Sequence, residues 1–169
     1  MPDFDKIFSE TKERPVIYKG MKLLRADKFP VANGDILIAS IEATDSDHRQ
    51  GLCIDITGHC EYEGKVFKHG KGIRMLFWED TAPKEIKLKI FTKKDFVWIE
   101  NIWENTNSYL VTDASGKSIT KESKSVEYGH GSAAMIVEEI ENGRRYRCND
   151  GYPHENFDDI VFTVQKLAQ

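Results

Sequence analysis

The chain has little cysteine, no long apolar run and no concentration of basic charge, and each shortage excludes a class of protein. Three cysteines, Cys53, Cys60 and Cys148, stand in 169 residues. So few, and an odd number, do not build a disulfide framework; they suit packed thiols in a reducing compartment, although a Cys53–Cys60 bridge is compatible with the spacing. No window approaches the ~18 continuous apolar residues of a membrane helix, and the opening Met1-Pro2-Asp3-Phe4-Asp5-Lys6 has no basic segment followed by an apolar run. The expectation is a cytoplasmic chain outside the membrane, or a secreted one if a leader has been trimmed away. A formal net charge of −4 opposes the counterion release on which nucleic-acid binding depends. The nearest exception, Arg144-Arg145-Tyr146-Arg147, splits its charges when extended, with Arg145 and Arg147 on one face and Arg144 with Tyr146 on the other. No nucleic-acid partner is expected.

Catalytic signatures are also missing. His130 in Tyr128-Gly129-His130-Gly131-Ser132 has no Gly-x-Ser-x-Gly elbow around it, and two flanking glycines suit a turn or bulge. Cys53, His59 and Cys60 lack the Cys-x-x-Cys partner of a zinc site, and Cys148 with His154 lacks an orienting third group. The sequence gives more reason to expect a binding protein than an enzyme.

What is present is β patterning. Ile86-Lys87-Leu88-Lys89-Ile90 alternates strictly, placing three apolar side chains on one face and two lysines on the other, and Leu52 to Thr57 repeats the pattern. Further strands are expected over 35–42, 72–78, 96–103, 132–140, 144–148 and 159–167. Phe96-Val97-Trp98-Ile99 and Ala134-Met135-Ile136-Val137 are apolar on both faces, as central strands covered twice would be. Glycine turns separate the strands, Asn142-Gly143 being the strongest type I′ signal. Residues 1–14 suit a short helix around Phe4 to Lys12 ended by Pro15, and the polar stretch Thr112 to Ser125 suits a loop or a long hairpin arm. The expected fold is all-β, an antiparallel β-sandwich or jelly roll: one domain over 15–169 behind an N-terminal segment 1–14.

Chemistry concentrates in the last quarter of the chain. Asn149, Asp150, Glu155, Asn156, Asp158 and Asp159 bring oxygen-bearing side chains into eleven residues, bent by Gly151 and Pro153. Loops with free carbonyls and several carboxylates are what calcium takes as ligands. Asn149, Asp150, Glu155, Asp158 and Asp159 are the candidate metal residues. A strand starting here sends Asp158 and Asp159 to opposite faces, so only one can look into the loop. The alternative is structural: an Asp that caps the loop by accepting backbone N–H bonds, as in Asx turns. Thr44-Asp45-Ser46-Asp47-His48 is a second acidic turn, relevant only if it packs beside the first; it lacks the glycine and distal glutamate of an EF-hand.

Asn149-Asp150-Gly151 followed by Asn156-Phe157-Asp158-Asp159-Ile160-Val161-Phe162 resembles the closing motif of calcium-binding all-β domains of bacterial surface proteins, and more distantly the acidic loop of calcium-dependent bacterial lectins. The resemblance implies a sandwich fold, a bound calcium ion and in some members a sugar held through it. The chain departs from that pattern at His154 and Glu155 and by the extra Gly151-Tyr152-Pro153.

Aromatic residues are the other ingredient of a sugar site, since rings stack on sugar faces while amides and carboxylates bond hydroxyls. Trp78 and Trp98 are expected in the core. Trp103, with Asn101 on the same strand face, and Tyr152 are the candidate ligand contacts, Trp103 being expected at the surface. Two readings follow. One is a bacterial, non-catalytic binding module, calcium-dependent through the 149–159 loop, for a glycan or a polar protein surface. The other is a small acidic cytosolic partner-binding protein of the immunity or inhibitor type that needs no metal.

Overall fold

The computed structural model describes residues 4–12, 14–153 and 156–167. One helix, α1 (Phe4–Glu10), precedes fourteen strands among them: β1 (Val16–Tyr18), β2 (Met21–Leu24), β3 (Asp27–Pro30), β4 (Ile36–Thr44), β5 (Gln50–Ile56), β6 (Gly58–Tyr62), β7 (Lys65–Phe67), β8 (Ile73–Trp78), β9 (Ile86–Thr92), β10 (Phe96–Thr112), β11 (Ser118–Glu127), β12 (Ala134–Ile140), β13 (Gly143–Asn149) and β14 (Ile160–Lys166). They form two antiparallel sheets packed as a sandwich. The larger runs β1-β2-β12-β13-β14-β4-β9-β6-β7, the smaller β11-β10-β5-β8, with β3 also paired to β10.

Alternation explains the packing. Leu37 and Ala39, Ile86, Leu88 and Ile90, Tyr146 and Cys148, and Ile160, Phe162 and Val164 face inward from the large sheet, meeting Leu52, Ile54, Ile56, Met75, Phe77, Val97 and Ile99 of the small one. The lysines between them, Lys87 and Lys89, are exposed. A second cluster, Phe4, Phe8, Val16, Leu23, Ala134 and Phe157, fastens α1 to the other face of the large sheet. This is why Ala134 and Met135 are both buried: the 134–137 strand is covered on two sides, as its apolar run implies.

Turn chemistry differs from expectation in one place. Ile140 pairs directly with Gly143, so the turn is Glu141-Asn142; Asn142 takes φ 59°, while Gly143 lies inside β13. A Cβ at Gly143 would collide with the Val164 carbonyl, so the glycine serves close strand approach rather than the turn. The two-residue turns with both central φ positive are Lys19-Gly20, joining β1 to β2, and Glu63-Gly64, joining β6 to β7.

All three cysteines are free and buried, Cys53 and Cys60 lying on strands of different sheets. Burial pushes the Cys53 thiol from 9.0 up to about 12 and the Cys60 thiol up to about 11, and raises Cys148 well above 9.0, with the Asp159 charge adding to the effect. Between 9.0 and those values the unfolded chain loses thiol protons that the folded chain keeps, so stability falls as pH rises through that window. Ellman's reagent at pH 8 is expected to label none of the three in the native protein and all three in urea. Urea melts are expected to show lower stability at pH 10 than at pH 8. Rapid native labelling would overturn this assignment.

Candidate functional site

The two acidic turns meet. The 149–159 loop leaves β13 at Asn149 and returns to β14 at Ile160, and the 44–50 turn between β4 and β5 lies against it. Asp150 joins them: its Oδ2 accepts from Ser46 Oγ at 2.8 Å and Gln50 Nε2 at 3.1 Å, while its Oδ1 accepts the Tyr152 amide at 2.9 Å. The last bond is an Asx turn. Asp150 is 0% exposed, yet its charge is balanced by three donors.

The neighbours repeat the theme. Asp159 Oδ2 accepts the Asp150 amide at 2.9 Å, and the Asp159 carbonyl accepts the Asp45 amide at 3.1 Å. Asn149 Oδ1 accepts the Phe157 amide at 2.8 Å, which holds Phe157 at φ 53° with its ring in the α1 cluster. Ser46 Oγ takes the His48 amide, and Gln50 Nε2 also reaches the His48 carbonyl. Asn149, Asp150 and Asp159 thus use carboxylate and amide oxygens to satisfy buried N–H groups, the capping role set beside metal binding as its alternative. Asp159 and Asp158 both precede β14, which begins at Ile160, so the expected strand alternation does not set the direction of Asp158. The Asp158 Oδ1 and the Gln50 Oε1 are buried atoms without a hydrogen-bond partner. Glu155, with His154, lies outside the described residues, and among the described residues no three His, Cys, Asp or Glu side chains converge as a metal centre.

The three expected ligand contacts stand together at this loop, in unequal exposure. Trp103 is 1% exposed, which corrects the expectation that it is a surface ring. It faces inward from β10, and Gly151 packs so tightly on its Cζ2 that a Cβ there would overlap the indole; the His130 ring meets its edge at 5.1 Å. Trp78 and Trp98, expected in the core, are instead half-buried on the outer face of the small sheet, under Arg49 and Lys28 respectively. Asn101 is buried and donates Nδ2 to the Asn149 carbonyl at 2.9 Å, tying β10 to the loop. Tyr152 remains partly accessible. Its ring stacks on His48 at 3.9 Å and 7°, and its hydroxyl donates to Asn105 Oδ1 at 2.8 Å.

Around this knot runs an acidic rim. Asp45 and Asp47 are exposed, Glu104 is flanked by Arg49 and Lys124, and Glu127 binds His130 at 2.9 Å. The Ser125 hydroxyl, and then His130, hold the Glu127 carboxyl below its usual range. Sequence reasoning missed Gln50 as a member of the site; Ser46 and His48 belong to the second acidic turn, which was expected to matter only if it packed beside the first, as it does. From the rim projects a ribbon. β10 and β11 pair over ten positions, from Trp103↔Glu127 to Thr112↔Ser118, and beyond the Asn105↔Ser125 pair nearly every residue is exposed, Val111 and the Asn105 and Ser125 pair being half-buried. The stretch Thr112 to Ser125 is therefore the hairpin arm of the two options its composition allowed. Asp113 Oδ1 closes its tip by accepting the amides of Ser115 and Lys117.

Comparison with known protein families, with curated proteins and with solved structures yields no match.

Proposed function

We propose that this chain is a non-catalytic binding module that engages the polar surface of another protein, with the β10–β11 ribbon and the acidic rim at its root as the contact. The observation that carries this reading is the ribbon. A two-stranded hairpin standing alone in water is marginally stable, and its open edges are templates for strand addition. This one also carries apolar side chains into solvent: Tyr109 and Ile119 lie on one face, with Leu110 on the other. Asp45 and Asp47 beside its root favour a partner with basic charge, which electrostatic complementarity steers into register. The buried thiols suit the reducing cytoplasm expected for such a protein.

Calcium-dependent glycan binding is the second reading, supported by the partnerless acceptors Gln50 Oε1 and Asp158 Oδ1 and by the accessible Tyr152–His48 stack. The test separates the two. Residues 107–123 are replaced by Asn-Gly, closing the hairpin at Thr106 and Lys124, and in-cell cross-linking compares this variant, Asp45→Lys with Asp47→Lys, and the wild type. The protein-partner reading expects a cross-linked protein that both variants lose, and a melting temperature unmoved by millimolar Ca²⁺. Cross-links unchanged in both variants would overturn it. A Ca²⁺-dependent rise in melting temperature together with Ca²⁺-dependent retention on a glycan array would establish the second reading.

A further inference from the structure

At the other end of β5 from Gln50, about 20 Å from the acidic rim at ~3.3 Å per strand residue, the sandwich opens into a different site. A cleft of about 980 Å³ is lined by the start of β6, the end of β9 and the loop between β7 and β8, bringing Lys68, Lys71 and Lys93 together with His59, Phe91 and Asn33. None of its lining residues is acidic. The charge is also uncompensated: among the described residues none of the three ammonium groups has a carboxylate within ion-pair distance, whereas Arg25, Arg49, Arg74, Arg144, Arg145 and Arg147 are each paired. In a chain of net charge −4, three unpaired lysines around one concavity are a local reversal of sign that favours an anion.

The floor is built rather than incidental. Thr92 Oγ1 donates to the Thr57 carbonyl at 2.6 Å and accepts the Lys94 amide, while the Thr92 amide donates to Asn33 Oδ1 at 3.0 Å. Gly58, at φ 149°, lets β6 lie against the Phe91 carbonyl, where any Cβ would collide. That approach sets the His59 ring parallel to the Phe91 ring at 4.8 Å and 11°, giving the cleft a rigid aromatic wall.

We propose that this cleft binds a small molecule carrying clustered phosphate or sulfate groups, with Lys68, Lys71 and Lys93 as the oxyanion contacts and the His59–Phe91 wall against its organic portion. Lysine suits this as a point charge with three rotatable donors. The experiment is isothermal titration of the full chain with pyrophosphate, ADP and a sulfated disaccharide at low ionic strength, against Lys68→Gln, Lys71→Gln, Lys93→Gln, their triple combination, and Lys87→Gln as a lysine outside the cleft. Unchanged melting temperatures establish that the variants are folded.

Each cleft substitution is expected to weaken binding by about threefold and the triple by about thirtyfold, as exposed charge pairs do, with Lys87→Gln unchanged. ADP stronger than pyrophosphate, with the difference abolished by Phe91→Ala, identifies a nucleotide; preference for the disaccharide identifies a sulfated sugar. Absence of heat with all three probes, or equal loss in Lys87→Gln, would overturn the proposal. Because the ribbon-shortened protein keeps this cleft, it is expected to bind as the wild type does, so failure here and failure of the protein-partner reading are independent results.

Discussion

Asp150→Ala is expected to lower stability by about 3–5 kcal/mol, because it leaves three neutral donors without their acceptor at a cost of about 1–3 kcal/mol for each one that stays buried. The substitution takes the acceptor from Ser46 Oγ, Gln50 Nε2 and the Tyr152 amide at once, and all three lie at a junction from which water is largely excluded. At roughly 2–4 °C per kcal/mol for a domain of this size, the melting temperature should fall by about 6–20 °C. Asp150→Asn tests the cause. An amide presents one acceptor oxygen and an NH2 group that only donates, so it opposes at least one of the three protein donors and should recover only part of the loss. Thermal melts of both variants, with and without EDTA, make the test complete. If capping is the role, the losses are the same under both conditions; if the loop holds calcium, EDTA lowers the wild type toward the variant.

Much of the sandwich was legible because it rests on local alternation. Ile86 to Ile90 and Leu52 to Ile56 announce a buried face through period-two patterning, while 134–137 announces cover on both faces through its unbroken apolar run, and the structure buries Ile86, Leu88, Ile90, Leu52, Ile54, Ile56, Ala134 and Met135. The short strands β1, β2, β3, β6 and β7 were not expected. Each spans three to five residues, too few for a period to register, and their identity depends on pairing to a neighbour. The arginine-rich strand was read correctly in its faces: Arg144 and Tyr146 turn in to Asp27, while Arg145 and Arg147 turn out to Glu138.

The site was legible in its parts and not in its assembly. Asn149, Asp150 and Asp159 announced an oxygen-rich loop, but what those oxygens meet comes from Ser46 and Gln50, 104 and 100 residues away. Trp103 shows the same limit. Beside Glu104 and Asn105 it reads as a surface ring, and its cover, Gly151 and the His130 edge, arrives from distant loops. Composition along one strand reports its alternation; it does not report which remote glycine closes over it.

Arg25→Leu is expected to show how far a single non-local clamp organises the turn that packs against the candidate site. Only 7% exposed, Arg25 donates Nε to the Ala133 carbonyl at 3.1 Å, Nη1 to Gly129 at 3.0 Å and Nη2 to Gly131 at 2.8 Å, pairs with Asp5 at 2.8 Å, and lies 4.7 Å over the Phe8 ring. Asp5 completes the ring by accepting the Gly131 amide, and Gly131 accepts the Phe4 amide. The glycines flanking His130 are therefore a clamped turn through which α1 is fastened to the large sheet. A helix of seven residues does not persist without such packing. Leucine replaces the apolar volume and none of the donors, so the expected cost is about 2–4 kcal/mol for the lost charge-assisted bonds. The loss should be local before it is global: hydrogen exchange in residues 4–10 and 129–133 should accelerate strongly while β5, β9 and β14 keep their protection. Arg25→Lys should rescue little, because one ammonium cannot span three carbonyls that a planar guanidinium reaches together. Uniform acceleration across both sheets would mean that the clamp is part of the global folding unit, and that α1 contributes more to the sandwich than its six-residue satellite cluster implies.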